Sequence, residues 1–262
     1  MDTQKNNVKR NNHSNSRGQL SVVGIGPGSL DHITPKVRAT LEEADVLIGY
    51  GTYIKLVQNL IRKDAEIISG TMGKEVERAK IAVMKANENN KVVMVSSGDP
   101  GVYGMAGIVL EIAAQEKTGI PIEILPGITA ASAASALLGA PLISDFAVIS
   151  LSDLLTPLEK IEKRLELASQ ADMSIVLYNP KSQDRIEPLT RAYEIMMKYI
   201  NPDTPIGIVR QAGREGQTAK ITTLKNLLNE EIDMVTTIVI GNSATKTVNE
   251  KMITARGYNI TN

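Results

Sequence analysis

Val92 to Gly104, reading VVMVSSGDPGVYG, is an apolar run that breaks into a turn of small residues and then restarts as a helix. Val92, Val93, Met94 and Val95 read as a strand buried on both faces, because β-branched residues suit the pleat and no polar residue interrupts them. Ser96 ends the run. Gly98 and Gly101 let the backbone turn sharply or approach a ligand closely. Asp99 is expected to cap the next helix, with Pro100 at its first position. The pattern gives a bare ledge, expected to be rich in backbone donors, at the carboxyl end of a strand, where open α/β sheets bind ligands. A plain strand-to-helix turn would use Gly and Asp in the same way.

The rest of the chain repeats this alternation. Leu20 to Gly24, Val46 to Ile48, Glu66 to Ile68, Val92 to Val95 and Ile122 to Leu125 read as strands. Between them, Val37, Leu41 and Ala44 recur at helical spacing after Thr34 and Pro35, and Val76, Ala79, Val83 and Ala86 do likewise. A second series follows at Ala147 to Leu151, Ser174 to Tyr178, Ile206 to Val209, Ile221 to Thr223 and Thr237 to Ile240, with helices from Pro157 to Gln170 and Arg185 to Tyr199. The fold class is therefore α/β: the first series reads as a mostly parallel, helix-covered sheet and the second as a further α/β domain. Pro126 and Gly127 break the chain after a strand, and ITAASAASALL (Ile128 to Leu138) is a small-residue helix able to pack closely on backbone. The expected division is a disordered polar leader over 1–18, an N-terminal α/β domain over 19–127 and a C-terminal α/β domain over 128–262, with one continuous ten-strand sheet as the alternative.

Composition removes several chemistries. The 262 residues carry Lys+Arg 29 and Asp+Glu 29, so no net basic field favours nucleic acid, and none is expected as a partner. No apolar run reaches the length of a membrane span, and the leader lacks the apolar centre of a signal peptide, so a cytoplasmic protein with no membrane partner is expected. Cysteine is absent, and of the two histidines His13 lies in the leader, leaving His32 alone for a folded site. Thiolate catalysis, a Ser/His/Asp triad and a His- or Cys-ligated metal site are thereby disfavoured, and no metal is expected. What remains is chemistry in which a reactive cofactor supplies the electrophile and the protein supplies position.

The loop Gly24-Ile25-Gly26-Pro27-Gly28 follows the first strand and invites a dinucleotide reading, which fits badly. Ser29 stands where the fingerprint GxGxxG needs its third glycine, Pro27 has no N–H for a pyrophosphate, and no acidic residue follows at the end of the second strand for the ribose. A stiff glycine loop without phosphate donors suits a bulky ligand by shape; a tight turn is the alternative.

GIGPGSLDHITP, SSGDPGVYGMAG and ILPGITAASAASALLGAPL, in this order and spacing, resemble the tetrapyrrole methylases, S-adenosylmethionine enzymes that modify corrinoid and sirohaem precursors. The likeness runs from Leu20 to near Tyr258. LIGYGTYIKLV (Leu47 to Val57), ISLSDLLTPLEKIEKRL (Ile149 to Leu165) and LYNPKSQDR (Leu177 to Arg185) are similar to the precorrin-3B C17-methyltransferase branch, with its cobalt-factor III counterpart in the anaerobic route to vitamin B12. Ala255 stands where the branch carries proline.

The resemblance implies a tetrapyrrole methylase (class III methyltransferase) fold of two domains with S-adenosylmethionine folded into the cleft between them, and usually a homodimer. S-adenosylhomocysteine would be the product, and cobalt would enter only as part of the tetrapyrrole substrate. The matched positions imply cofactor contacts from Pro27, Ser97, Gly98, Asp99, Val102, Thr129, Ala130, Asn179 and Ala212, mostly through backbone. Tyr103 and Met105 read as helix packing. Methyl transfer needs no base, but the associated ring contraction would benefit from a general acid, for which Asp153, His32, Tyr50 and Lys181 are the candidates. Asp153 also reads as a cap for the helix begun by Pro157, and His32 as packing beside the glycine loop. Lys36, Arg38, Lys55, Lys181, Arg185, Arg210 and Arg214 are cations available to substrate carboxylates. Methylation at C1, C11 or C20, a diphthamide-pathway enzyme, and a non-catalytic nucleotide- or tetrapyrrole-binding domain are the competing readings.

Overall fold

The computed structural model describes residues 18–71, 73–182 and 185–259. The expected polar leader lies outside the described residues except for Gly18, which is buried. In the first sheet, β1 (Gln19–Gly24), β2 (Val46–Tyr50), β3 (Glu66–Gly70), β4 (Lys91–Ser96) and β5 (Ile122–Leu125) run in the order β3-β2-β4-β1-β5, every neighbouring pair parallel. The three central strands are the ones buried along nearly their whole length, and their buried residues are apolar or small, as burial on both faces requires. One face, with Val23, Leu47, Val93 and Val95, is covered by α1 (Pro35–Glu42) and α2 (Gly51–Val57). The other, with Leu20, Val22, Ile48 and Met94, is covered by α3 (Glu75–Asn87) and α4 (Ala106–Gln115). Each such buried side chain contributes roughly 1.5–3 kcal/mol.

Local signals in the sequence hold where they are strongest. Thr34 caps α1 by accepting from the Val37 N–H at 3.2 Å, with Pro35 at the first helical position. In α3 the buried stripe is Ala79, Ala82, Val83 and Ala86, whereas Val76, expected on it, is 53% exposed in the first turn. The segment after β4 departs from expectation. Residues 97–105 are bends and turns, and α4 starts only at Ala106 without a side-chain cap. Asp99 therefore caps no helix. Its Oδ1 accepts from the Gly101 N–H at 2.8 Å and its Oδ2 from the Gly127 N–H at 3.1 Å, tying the β4 loop to the chain leaving β5.

From β5 the chain passes into α5 (Ala130–Leu138) and the short β6 (Gly139–Ala140), then enters a second sheet. There β7 (Phe146–Ser150), β8 (Ser174–Tyr178), β9 (Pro205–Arg210), β10 (Thr218–Thr223) and β11 (Thr236–Ile240) run in the order β10-β9-β11-β8-β7. The strands thus form two five-stranded sheets, not one of ten. Only the β7–β8 pair is parallel. The link from β9 to β10, residues 211–217, is far too short for the crossover a parallel pair needs. α6 (Leu158–Gln170) and α7 (Glu187–Met196) cover one face, and α5 packs Ala131, Ala134 and Leu138 on Val176, Val209 and Val239 of the other. A hairpin, β12 (Thr245–Val248) and β13 (Lys251–Thr254), joins β6 in a small third sheet. Among the described residues no helix is long and apolar enough to cross a membrane.

The carboxyl ends of β1, β4 and β5 meet at a crossing of bare backbone. Gly26 and Gly98 exchange hydrogen bonds, Gly26 N–H to the Gly98 carbonyl at 3.1 Å and Gly98 N–H to the Gly26 carbonyl at 2.8 Å. Gly127 lies across them, and a Cβ built on it overlaps the carbonyl oxygens of both Gly98 and Gly24. Backbone cannot yield as a flexible side chain would. We therefore expect Gly127→Ala to lower the unfolding free energy by about 1–3 kcal/mol in urea denaturation. Gly107→Ala, in α4 with open space around the new methyl, is expected to raise it by up to about 1 kcal/mol.

Candidate functional site

A cleft of about 220 Å³ opens where that crossing faces the second sheet. The loop after β1 supplies Pro27; the segment after β4 supplies Ser97, Gly98, Asp99, Val102 and Tyr103; and α2 supplies Tyr53. Thr129 and Ala130 come from the start of α5. Across the gap stand Tyr178 and Asn179 at the end of β8, Gln211, Ala212 and Arg214 beyond β9, and Met234 to Thr237 at the entry to β11. All nine positions expected to meet a cofactor line this one space: Pro27, Ser97, Gly98, Asp99, Val102, Thr129, Ala130, Asn179 and Ala212. The position of Gly98 is fixed by φ +62° and by the bridge to Gly26, which uses both its N–H and its carbonyl, so it shapes the wall rather than offering donors.

The four candidate proton donors do not line the cleft. His32 packs beside the glycine loop, its backbone against Gly26 and its Nδ1 toward Gly213. Tyr50 sets its ring edge-on to Tyr53, centroids 5.3 Å apart. Lys181 follows Asn179 by two residues and is half-buried. Asp153 caps nothing, since α6 starts at Leu158 with Pro157 at the cap position and no side-chain cap; its Oδ1 lies 3.7 Å from Nε of Arg185. Several expected substrate cations are likewise engaged within the protein. Arg210 holds Asp233 at 2.7 Å, Lys36 pairs with Glu123 at 3.5 Å, and Arg185 donates to the carbonyls of Leu151 and Asn179.

Three side chains tie the cleft walls together in a way that motif reading, which takes Arg214 as a cation for substrate carboxylates and Tyr103 as helix packing, does not show. Arg214, beyond β9, donates from Nε to the Pro27 carbonyl at 2.7 Å and from Nη2 to Ser97 Oγ at 3.1 Å, with its guanidinium 5.9 Å from the centre of the Tyr53 ring. Tyr103 crosses in the other direction. Its hydroxyl donates to the Val148 carbonyl at 3.1 Å and accepts from the Ser150 N–H at 3.2 Å, so it is a bridge and not helix packing, while Met105 does pack on the core. Tyr178 supplies the cap that α5 lacks locally. Its hydroxyl accepts from the Ala131 N–H and shares a hydrogen bond with Thr129 Oγ1, both at 2.6 Å. Burial pushes the Tyr178 phenol above its usual value, against the lowering effect of those two hydrogen bonds. Tyr103, Asn179 and Gln211 all hold left-handed backbone (φ +53°, +51° and +52°) on the cleft wall. Non-glycine residues in that region are uncommon and gather at functional sites.

A family model described as Tetrapyrrole (Corrin/Porphyrin) Methylases matches residues 19–228. The cobalt-factor III methyltransferase of Priestia megaterium is 48% identical over 92% of this chain, which spans only 45% of that protein. A probable cobalt-factor III C(17)-methyltransferase of Salmonella typhimurium is 42% identical over 92% of this chain and 100% of its own length. Among solved structures, the methyltransferase CobJ superposes with a TM-score of 0.87 at 39% identity, covering 91% of this chain and 100% of that one.

Tyr178→Phe removes the acceptor for Ala131 and is expected to cost about 1–2 kcal/mol of stability. Because the folded-state pKa is raised, Tyr178 favours folding in its neutral form. That contribution is complete below about pH 10, the free phenol value, and is lost as pH rises through the folded-state value. Urea titrations of wild type should therefore show an alkaline decline above about pH 10 that is smaller in the variant.

Proposed function

The chain belongs to the tetrapyrrole (corrin/porphyrin) methylases, and we propose on that premise that it is an S-adenosylmethionine-dependent methyltransferase of cobalamin biosynthesis, methylating C17 of precorrin-3B or cobalt-factor III with associated ring contraction. The observation that carries this reading is the convergence of all nine expected contact positions on one cleft of nucleoside-like size. The chemistry of the lining suits such a cofactor. It contains one carboxylate, Asp99, and one guanidinium, Arg214, among small and neutral groups, a balance that fits a sulfonium joined to a zwitterionic amino-acid tail. It lacks the clustered cations that a pyrophosphate would call for.

S-adenosylmethionine, when bound, supplies a methyl group on a positively charged sulfur, already a strong electrophile. The work left to the protein is position. Holding a carbon nucleophile in line with that methyl at about 3–3.5 Å can be worth roughly 7–11 kcal/mol, which explains how a chain without cysteine and with a single histidine beyond its leader can be an enzyme. Asp99 fixes the floor through its two amide contacts, Tyr178 fixes the first turn of α5, and Arg214 holds Pro27 and Ser97 in place. For the proton that ring contraction calls for, the proposed donors all stand outside the lining: Tyr50 against Tyr53, Lys181 two residues beyond Asn179, His32 beside Gly213 and Asp153 beside Arg185. The proposal takes 19–127 and 128–262 as the two domains and a homodimer in the cytoplasm as the working form.

Anaerobic incubation of the purified chain with cobalt-factor III and labelled S-adenosylmethionine should yield a product heavier by one methyl group with corrin-type absorbance. A methyl gain without that absorbance would refute the contraction, and no gain would refute the substrate. Ala130→Leu, which puts a bulky side chain on the cleft wall, should weaken S-adenosylhomocysteine binding by about tenfold or more in calorimetry while leaving the unfolding midpoint near that of wild type. Unchanged affinity would count against the cleft as the cofactor site.

A further inference from the structure

The two segments that single out the C17 branch, SLSDLLTP and YNPKS, meet at one guanidinium. Arg185 donates from Nη1 to the Leu151 carbonyl at 2.6 Å and from Nη2 to the Asn179 carbonyl at 3.0 Å, sets Nε 3.7 Å from Asp153, and lies 3.8 Å from the Met234 sulfur. Asn179 and Met234 line the cleft. The base of the 151–157 loop is thus held against the cleft wall from behind. It is held from the front as well, because Ser150 accepts from Asn179 Nδ2 at 2.9 Å and gives its N–H to Tyr103.

At the tip of that loop Leu154 is 83% exposed and Leu155 97% exposed. Adjacent leucines this bare on a loop whose base is held by Arg185, Asn179 and Tyr103 are not explained by the folding of the chain itself. Leu154 follows Ser150 by four residues, so its Cα lies within about 14 Å of the wall. Ile186, next to the anchoring Arg185, and Met234, on the cleft wall, are exposed apolar side chains as well. With the cofactor in the cleft, a ring of four pyrroles that offers its carbon to the methyl group has to approach from the mouth and meets the surface around it.

We propose that Leu154 and Leu155 are specificity-determining contacts that seat one face of the tetrapyrrole macrocycle over the cleft, with Arg185 as the positioning residue that sets both the loop and Asn179. This rests on the methylase reading above. Chains with a polar or shorter tip at this loop would hold the same cofactor and reject this ring.

The test uses the full chain, S-adenosylhomocysteine, and cobalt-factor III as the macrocycle probe, titrated anaerobically by absorbance into the S-adenosylhomocysteine-loaded protein. Leu154→Ser/Leu155→Ser should weaken macrocycle binding at least about tenfold while S-adenosylhomocysteine affinity stays within about twofold. Val248→Ser, an exposed apolar position on the β12–β13 hairpin, should change neither. Undiminished macrocycle binding by the double variant overturns the proposal and leaves the methylase reading standing. Loss of S-adenosylhomocysteine affinity along with it also overturns the proposal, since the loop would then be shaping the cofactor cleft. So does a loss that appears only together with a changed sedimentation coefficient, which would give the leucines to a contact between copies. A wild-type chain that binds S-adenosylhomocysteine but no cobalt-factor III overturns the substrate reading and this inference with it.

Discussion

Three strand ends can meet in the first sheet only because nothing but backbone occupies their junction. Gly24 ends β1, Gly98 and Gly127 follow β4 and β5, and each lies where a side chain would strike a neighbour's main chain or force a strained φ. The Gly26–Gly98 bridge and the two amide contacts of Asp99 then lock the crossing. This junction determines where the chain leaves the first sheet, and so where α5 begins and where the second sheet stands. The cleft is the space left over when those constraints are met. Its location agrees with the general behaviour of open parallel sheets, whose ligands sit at carboxyl ends where the connections diverge.

The two sheets are then held at the gap by side chains that reach over it. Tyr103 passes from the first sheet to β7 and Arg214 from beyond β9 to the β1 and β4 loops, while Tyr178, on the wall between them, fixes the start of α5 from β8. Each uses a backbone carbonyl or amide as its partner, so each fixes main chain as well as side chain. The left-handed residues Tyr103, Asn179 and Gln211 stand on this same wall. Strain of this kind persists only where the surroundings over-determine the conformation, and here the hydrogen bonds of Tyr103 and the Arg185 contact to Asn179 do so.

How much of this could be read from the residues depends on the range of the interaction concerned. Val92 to Val95, the Thr34–Pro35 cap and the small-residue helix were legible because they rest on local pattern and chemistry. Strand direction in the second sheet was not, because β8 and β11 are buried on both faces and give the same apolar run whichever way they point. Helix α2 lacks a side-chain cap and spans only Gly51–Val57, and the β12–β13 hairpin is mostly exposed, so neither announces itself. The cleft positions were accessible through motif resemblance, since a backbone contact demands small or bent residues that leave a recognisable string. Arg214, Tyr103 and Tyr178 were not, because their partners lie far away in sequence and nothing local marks a side chain that will cross a gap. Asp99 shows the converse error. Its place before Pro100 suggests a helix cap, but its partner Gly127 arrives from another strand and wins.

The central claim is that a methyl-bearing sulfonium is held by small, bent main-chain positions between the two sheets. A crystal structure of the chain grown with S-adenosylhomocysteine tests it most directly. The account predicts density for the ligand between Gly98 and Ala130 on one side and Asn179 and Ala212 on the other, with the Gly26–Gly98 bridge intact. Ligand density anywhere else on the molecule, with this cleft holding only solvent, would contradict it.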